Sequence, residues 1–242
     1  MHRFYVPTIG SENHVWLEGG EARHLSRVLR ICAGDEVGVF DGTGIECVGV
    51  VERVERSRAK IEILRRERVD RDPRLAVTLG CAVVKSKAMA LVVEKCCELG
   101  LRELVPVETR RSVPKVAAKE AAHLERWRRC AIEAVKQCGR TTLTRVAAPR
   151  PLPAFAAQAD DFDLALLCST DAEAPRLRRV LDSHPDAQSV LYLVGPEGGF
   201  ERRERDLLRA RGFVPVSLGK STLRTETAAT AALAAILYHY EG

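Results

Sequence analysis

The sequence predicts an α/β protein in two parts, residues 1–72 and residues 73–242, and three observations support this division. Short segments of alternating apolar and polar residues dominate the first part, as in small β domains. Apolar runs of strand length alternate with helical patterns in the second part, as in parallel sheets covered by helices. A charged stretch over residues 65–73 ends in proline between the two parts, which is typical of a linker.

Five segments of the first part have the alternation of half-buried strands. They are residues 3–6, 14–17, 36–40, 45–54 and 60–64. The pair Asp41-Gly42, followed by Gly44, predicts a tight hairpin between two of them. A small closed β-barrel is the economical arrangement for so many short strands. Such barrels often bind RNA, although a fold alone does not establish a function.

One helical segment, residues 21–30, interrupts these strands. Its spacing predicts an apolar face formed by Leu25, Val28 and Leu29. The basic side chains fall largely on the other faces, and they are His24, Arg27 and Arg30.

Strand-like and helical segments alternate through the second part. The strand-like segments are residues 75–84, 103–107, 163–168, 190–194 and 214–218. The helical segments are residues 87–99, 117–137, 176–181, 202–211 and 226–240. Gly100 follows the first helical segment, in the position of a helix C′ residue. This alternation predicts a mostly parallel sheet with helices on its faces.

The composition predicts a protein that folds in water around a substantial core, because 46% of its residues are hydrophobic and 29% are charged. No apolar run is long enough to cross a bilayer, and the N-terminus lacks the pattern of a secretion signal. The eight cysteines and six histidines form no pattern typical of a zinc site. We therefore expect a cytoplasmic protein with reduced cysteines, no membrane attachment and no metal.

Positive charge is concentrated in one stretch of the second part. The net charge of the chain is +5, but residues 102–150 alone hold 12 basic and 5 acidic side chains. Such a concentration attracts polyanions and speeds encounter with them. The alternative is a solvated helix face with unpaired arginines, which would need no nucleic acid. The charge distribution therefore favours RNA binding without establishing it.

Two motifs near the C-terminus point to a ligand site, and the first is LVGPEGGF at residues 193–200. Gly195, Gly198 and Gly199 let main-chain groups approach a ligand, and loops at adjacent strand ends form ligand crevices in α/β proteins. The motif lacks the lysine of a Walker loop, and Glu197 and Glu201 disfavour a triphosphate. It suits a ligand with a neutral or cationic centre, such as S-adenosylmethionine.

The second motif, LGKSTLRTETAATAAL at residues 218–233, opens the last helix. Thr225 is a candidate N-cap and Glu226 in the first turn favours the helix dipole, so both have a possible structural role. Arg224 is harder to explain structurally, since an arginine beside the positive end of a helix needs an anionic partner. A phosphate or a polarised nucleobase oxygen would supply one.

Both motifs resemble those of the RsmE family, in the SPOUT superfamily of knotted methyltransferases, and the resemblance extends over almost the whole chain. In the first part it rests on MHRFYV, HLSRVLR, Gly34-Asp35 and Phe40-Asp41-Gly42. In the second part it also rests on Lys85, Lys87, Glu94-Lys95, Glu98-Leu99-Gly100, Pro106, Thr109-Arg110-Arg111-Ser112, Trp127, Glu133-Ala134, Gln137 and Gly139-Arg140. The family usually has an arginine and an apolar β-branched residue where this chain has Ser221 and Thr222.

The resemblance implies a PUA-like RNA-binding β-barrel over residues 1–72 and a SPOUT methyltransferase domain over residues 73–242. It further implies a deep trefoil knot in the last third of the chain, and a homodimer whose cofactor pockets lie near the subunit interface. The implied reaction methylates N3 of a uridine, at position 1498 in the usual numbering, with S-adenosylmethionine as the methyl donor. The implied partner is 16S ribosomal RNA or the small ribosomal subunit.

We also hypothesise roles for individual residues in this reaction. Arg224 is expected to grip the uracil oxygens or an adjacent phosphate, and Glu226 or Glu197 to accept the N3 proton. The residues expected to hold the cofactor are Leu193, Gly195, Glu197, Gly198, Gly199, Leu218, Gly219, Leu223, Thr225, Thr227 and Ala228. The residues expected to guide RNA are His24, Arg27, Arg30, Arg110, Arg111, Gln137 and Arg140.

Two other functions stay open on the sequence alone. A non-catalytic RNA-binding or ribosome-assembly protein with the same fold is favoured only by Ser221 and Thr222. A small-molecule methyltransferase would have no use for the basic stretch or for the N-terminal barrel.

Overall fold

The computed structural model of the chain describes residues 1–112 and 120–242, except for the side chain of Glu120. These residues form two compact units. The first comprises Met1–Asp72 and Val135–Leu143, and the second comprises Pro73–Ala134 and Thr144–Gly242. The helix predicted over residues 117–137 therefore lies partly outside the described residues.

The first unit is built on a five-stranded sheet. Its strands are β1 (His2–Tyr5), β2 (His14–Glu18), β3 (Glu36–Phe40), β4 (Ile45–Val54) and β5 (Arg58–Arg68). They follow the order β1-β3-β4-β5-β2, in which β1 and β3 are parallel and the other pairs antiparallel. The predicted barrel takes the form of a curled half-barrel with β1 and β2 at its two ends. Phe4, Leu17 and Ile61 are buried in its core.

Two predicted connections of this sheet have different outcomes. The hairpin at Asp41-Gly42 is confirmed, since it joins β3 to β4, and Asp41 accepts hydrogen bonds from the amide (3.0 Å) and the hydroxyl (2.6 Å) of Thr43. The linker predicted over residues 65–73 is too long, because β5 continues to Arg68. Residues 65–68 pair with β4, so the hydrogen-bonded ladder outweighs their charged composition.

The helical segment between β2 and β3 consists of α1 (Gly19–Arg23) and a π-helical turn over His24–Val28. The apolar face predicted for it is wrong for Val28, which is 66% exposed, although Leu25 is buried as expected. The π-helical turn explains the difference, because bonds from residue i to i+5 rotate the later side chains away from an α-helical face.

The second unit is built on a parallel sheet in the order β12-β10-β11-β6-β7-β8, with β9 beside β7. Its strands are β6 (Ala76–Ala82), β7 (Glu103–Glu108), β8 (Arg145–Val146), β9 (Arg150–Pro151), β10 (Leu164–Cys168), β11 (Ser189–Val194) and β12 (Val214–Val216). The helices that accompany it are α2 (Ser86–Glu98), α3 (Glu120–Cys138), α4 (Leu152–Ala156), α5 (Leu177–Asp182), α6 (Arg202–Ala210) and α7 (Thr225–Glu241). The predicted alternation of strands and helices is confirmed.

Helices cover both faces of this sheet, as the side chains of β11 show. Val190, Tyr192 and Val194 are buried in the core that includes residues of α2 and α7. Leu191 and Leu193 are buried in the core that includes residues of α4 and α6. A strand buried on both faces is typical of parallel sheets. The trefoil knot implied by the resemblance stays a prediction.

Candidate functional site

A cavity of about 670 Å³ lies in the second unit, at the carboxyl ends of β10, β11 and β12. Its wall comes mainly from residues 167–171, residues 194–200 and the segment between β12 and α7. Ligands of open α/β sheets bind at this edge. The two sequence motifs therefore meet in one cavity.

The loop after β11 is held by its own backbone and by α6. Gly199 has a φ of 65°, and its amide donates to the carbonyl of Pro196 at 2.8 Å. Glu201 is the N-cap of α6 and forms a capping box with Glu204, whose carboxylate accepts the Glu201 amide at 2.8 Å. These contacts preorganise the loop for a ligand.

Thr225 joins the second motif to the first. Its predicted N-cap role is wrong, because Arg224 is the N-cap residue of α7 and Thr225 is the first residue inside the helix. The Thr225 side chain is buried, and its hydroxyl donates to the carbonyl of Gly195 at 2.9 Å. The start of α7 and the glycine loop are thereby tied together.

Most residues expected to hold the cofactor line this cavity. They are Gly195, Glu197, Gly198, Gly199, Leu218, Gly219, Leu223, Thr225 and Ala228. Leu193 is instead fully buried in the core, and Thr227 lies on the exposed side of α7. Ser221 and Thr222, at which the chain departs from the family pattern, also line the cavity.

The two residues expected to act in catalysis lie at the start of α7, outside the cavity wall. Arg224 is exposed, and its side chain makes no hydrogen bond or ion pair with the described residues. Glu226 is half-buried. Burial first, and then the charges of groups that include Glu197 and Glu226, raise the pKa of the Cys81 thiol.

Cys168 contributes a neutral thiol to the cavity wall. Burial raises the pKa of Cys168 to about 12, so its thiol stays protonated at neutral pH and is a poor nucleophile.

Within residues 1–112 and 120–242, no group of three or more His, Cys, Asp and Glu side chains is arranged to hold a metal ion. The same residues include no helix with the length and apolar character of a membrane span.

The residues expected to guide RNA are found in both units. Arg27, Arg30 and Gln137 are exposed in the first unit, where His24 is half-buried. Arg30 has a φ of 56°, a left-handed conformation that only glycine adopts without strain. Arg110 and Arg111 are exposed in the second unit.

Arg140 does not offer the exposed charge that its assignment requires. It is only 5% exposed, and its Nε donates to the Asp72 carboxylate at 2.6 Å. An RNA phosphate would have to compete with this ion pair, in which the Arg140 side chain is 7% exposed and the Asp72 side chain 23% exposed. The geometry therefore favours a structural role for Arg140.

Several residues of the cavity wall were not expected from the sequence. Cys168 ends β10 and residues 169–171 follow it, and none of them was in a motif, although the predicted strand over residues 163–168 could have pointed to them. Arg111 was expected to contact only RNA, but it lines the cavity and donates from Nη1 to the Gly198 carbonyl at 2.6 Å. No sequence signal indicates that contact. Three exposed arginines of α6 also line the cavity, and they are Arg202, Arg205 and Arg209.

Two family models match the chain. One, described as an RNA methyltransferase domain, matches residues 71–237, and the other, an RNA methyltransferase PUA domain, matches residues 17–64. The chain is 35% identical to the ribosomal RNA small subunit methyltransferase E of Synechocystis, over 93% of this chain and 73% of that protein. It is 32% identical to the protein of the same name from Aquifex aeolicus, over 94% of this chain and 95% of that protein.

Two solved structures share the architecture along nearly their full length, and both contain S-adenosylmethionine. One, a methyltransferase structure from Legionella pneumophila, has a TM-score of 0.91 and 31% identity, and the match covers 97% of this chain and 96% of that one. The other is a ribosomal RNA small subunit methyltransferase E from Neisseria gonorrhoeae, with a TM-score of 0.89 and 31% identity. That match covers 98% of this chain and 96% of the other chain.

Proposed function

This chain belongs to the RsmE family of ribosomal RNA methyltransferases, and we propose that it methylates N3 of a uridine in 16S ribosomal RNA, at position 1498. It is an S-adenosylmethionine-dependent enzyme that acts on small-subunit ribosomal RNA. The observation that carries the proposal is the cavity in which the two motifs meet. The choice of N3 and of this nucleotide rests on the family resemblance.

The cavity suits S-adenosylmethionine in its lining. Carboxylates and cations both line it, so it can meet the sulfonium and the amino group as well as the carboxylate of the cofactor, and the charged residues are Asp171, Glu197, Asp206, Arg111, Arg202, Arg205, Arg209 and Lys220. The glycine loop offers main-chain donors and acceptors for the adenine and methionyl groups. Apolar surface comes from Leu218 and Ala228. When bound, the cofactor supplies an electrophilic methyl group, and the protein supplies position and electrostatics.

We expect Thr225→Val to weaken S-adenosylmethionine binding about tenfold. Valine has nearly the shape of threonine but leaves the carbonyl of Gly195 without its donor, which costs roughly 1–3 kcal/mol. Isothermal titration calorimetry measures the effect, and Thr225→Ser serves as the control because it keeps the hydroxyl. Equal affinities for the wild type and Thr225→Val would show that the bond does not shape the pocket.

Methylation at N3 requires a positioned base, a partner for the negative charge that develops on the uracil, and an acceptor for the N3 proton. We assign the second role to Arg224, whose guanidinium has no anionic partner among the described side chains. Glu226 and Glu197 are the candidates for the third role, because Glu226 lies in the first turn of α7 and Glu197 lines the cavity. Glu226 lies two residues after Arg224 and could instead orient it.

The exposed basic residues in and just after the π-helical turn are proposed to hold RNA phosphates in the first unit. Arg27 and Arg30 are exposed there, and neither side chain pairs with an acidic residue in the described ranges. Arg30 occupies a left-handed position after the turn, where the amide of Ile31 donates to the carbonyl of Leu25 at 3.1 Å. Glycine is the favoured residue there, so the arginine is kept at a cost to stability of about 1 kcal/mol.

We expect Arg30→Gly to lower RNA affinity while leaving the melting temperature equal to or above that of the wild type. The loss of one phosphate contact should reduce the slope of log affinity against log salt by about one unit. Filter binding over a salt series and thermal unfolding measure the two effects. Arg56→Ala, which removes an exposed charge between β4 and β5, controls for net charge. A slope equal to that of the wild type would show that Arg30 makes no contact with an RNA phosphate.

The proposed reaction is tested by mapping N3-methyluridine in 16S ribosomal RNA from cells with and without this protein. We expect the modification at position 1498 to disappear in its absence and to return with the wild-type chain. Naked RNA and assembled small subunits are then compared as substrates in vitro.

The eight cysteines are free thiols, which fits the cytoplasmic location that we propose.

We further propose that the protein acts as a homodimer through one side of α7. Small or apolar side chains lie exposed along that side, and they are Thr227, Ala231, Ala234, Ala235 and Tyr238. Tyr238 is 81% exposed in the single chain. Sedimentation should give a dimer for the wild type and a monomer for Ala234→Arg, and a monomeric wild type would contradict this assignment.

A further inference from the structure

Arg111 lies on the wall of the cofactor cavity, although it belongs to the basic stretch expected to guide RNA. Its Nη1 donates to the carbonyl of Gly198 at 2.6 Å. Its aliphatic stem crosses the same residue, because a Cβ built on Gly198 would lie 3.3 Å from Cδ and 3.6 Å from Cβ of Arg111. Arg111 therefore packs against residue 198 in a way that leaves little room for any side chain there.

The turn that carries Arg111 is also fixed to α6. The amide of Arg110 donates to Oε1 of Glu204 at 2.9 Å, and the amide of Glu201 donates to Oε2 of the same carboxylate at 2.8 Å. Glu204 is only 9% exposed. Charge-assisted bonds from two amides to one buried carboxylate form a firm link. The turn at residues 109–112 and the loop after β11 are thus joined both at Gly198 and at Glu204.

We propose that Arg111 is a positioning residue for the cofactor loop. It holds the Gly198 peptide in the orientation that binds S-adenosylmethionine, and it fixes the cavity wall at the loop after β11. The inference rests on the proposed cofactor site and names a residue that shapes it. It also separates Arg111 from its neighbour Arg110, whose exposed side chain has no hydrogen bond or ion pair with the described residues.

The first test compares Arg111→Ala with Arg110→Ala, which removes the same charge one residue away. We expect Arg111→Ala to raise the dissociation constant of S-adenosylmethionine about tenfold, as the loss of a charge-assisted hydrogen bond would. Arg110→Ala should bind the cofactor like the wild type. In steady-state methylation, Arg111→Ala should raise KM for the cofactor and leave kcat and KM for RNA near their wild-type values.

The second test uses the close approach of the Arg111 stem to Gly198. Gly198→Ala should weaken cofactor binding because the new methyl group would lie 3.3 Å from Cδ of Arg111, so that this side chain must shift by a few tenths of an ångström. Added to Arg111→Ala, it should cause little further loss, since the obstructing side chain is gone. Gly199→Ala is the matched control: its φ of 65° strains any side chain, and no protein atom lies within 4 Å of the added Cβ. The loss from Gly199→Ala should therefore be the same in both backgrounds.

The outcomes separate this inference from the proposed function. If the wild-type protein binds no S-adenosylmethionine, the proposed cofactor site itself is wrong. If the wild type binds, equal affinity in Arg111→Ala or additive losses from Arg111→Ala and Gly198→Ala would overturn the positioning role. If Arg111→Ala instead raises KM for RNA and leaves cofactor affinity unchanged, Arg111 binds RNA and does not position the cofactor loop. Melting temperatures check folding, and Arg111→Met, which keeps the stem without the donor, should reproduce the loss of affinity if Arg111→Ala is unstable.

Discussion

Replacing Gly199 with valine is expected to abolish detectable binding of S-adenosylmethionine while the protein stays folded. Two causes act together. The φ of 65° at Gly199 disfavours a β-branched residue, and the added side chain would enter space on the cavity wall that the ligand needs. Because no protein atom lies within 4 Å of the added Cβ, the core is not disturbed. Calorimetry at protein concentrations well above the wild-type dissociation constant measures the loss.

Gly212→Val separates backbone strain from intrusion on the ligand. Gly212 has a φ of 83° and also has no protein atom within 4 Å of an added Cβ, but it lies in the turn between α6 and β12, outside the cavity wall. Both variants should lose similar stability, of order 1–3 kcal/mol. Only Gly199→Val should lose the cofactor. If Gly212→Val also loses it, strain that propagates through α6 explains the effect and the placement of the ligand against Gly199 is wrong.

The strands and helices of this chain could be predicted because their signals are local. The antiparallel pair of β3 and β4 follows from alternation and from the Asp41-Gly42 turn, and the observed bounds of both strands match the predicted ones. The ligand cavity could also be anticipated, since glycine-rich loops after neighbouring strands meet at the carboxyl edge of a parallel sheet.

What the sequence could not predict depends on contacts between distant residues. Thr225 has the composition of an N-cap, yet its hydroxyl donates to Gly195, thirty residues away in the chain. Arg140 resembles an RNA-binding arginine, yet it is paired with Asp72. Neither partner is marked by any spacing or motif, because both contacts arise only when separate segments pack together.

The basic stretch shows the same limit in its electrostatics. Residues 102–150 carry a net charge of +7, but several of their cations are already engaged within the protein. Lys136 pairs with Glu21 at 3.0 Å, and Arg145 pairs with Glu103 at 2.6 Å. Paired side chains release fewer counterions on binding a polyanion than free ones do. The number of phosphate contacts should therefore fall well below the number of basic residues.

Arg224→Lys is expected to reduce the rate of methyl transfer about a hundredfold or more while cofactor binding is kept. Lysine retains the charge but not the planar fork that meets two acceptors at once. The loss of one such contact to charge that develops in a transition state typically costs that much. Arg178→Lys makes the same exchange at an exposed position of α5 and should leave the rate unchanged.

Single-turnover methylation at saturating RNA distinguishes the two possible roles of Arg224. If its guanidinium stabilises the uracil anion, the rate falls at every RNA concentration, because the missing contact belongs to the chemical step. If it only anchors a phosphate, more RNA restores the wild-type rate. We expect the first outcome from the proposed catalytic role of Arg224, because its position as the N-cap residue of α7 favours an anionic partner in either case. A wild-type rate at saturation would remove Arg224 from the catalytic residues and leave Glu197 and Glu226 to be tested next.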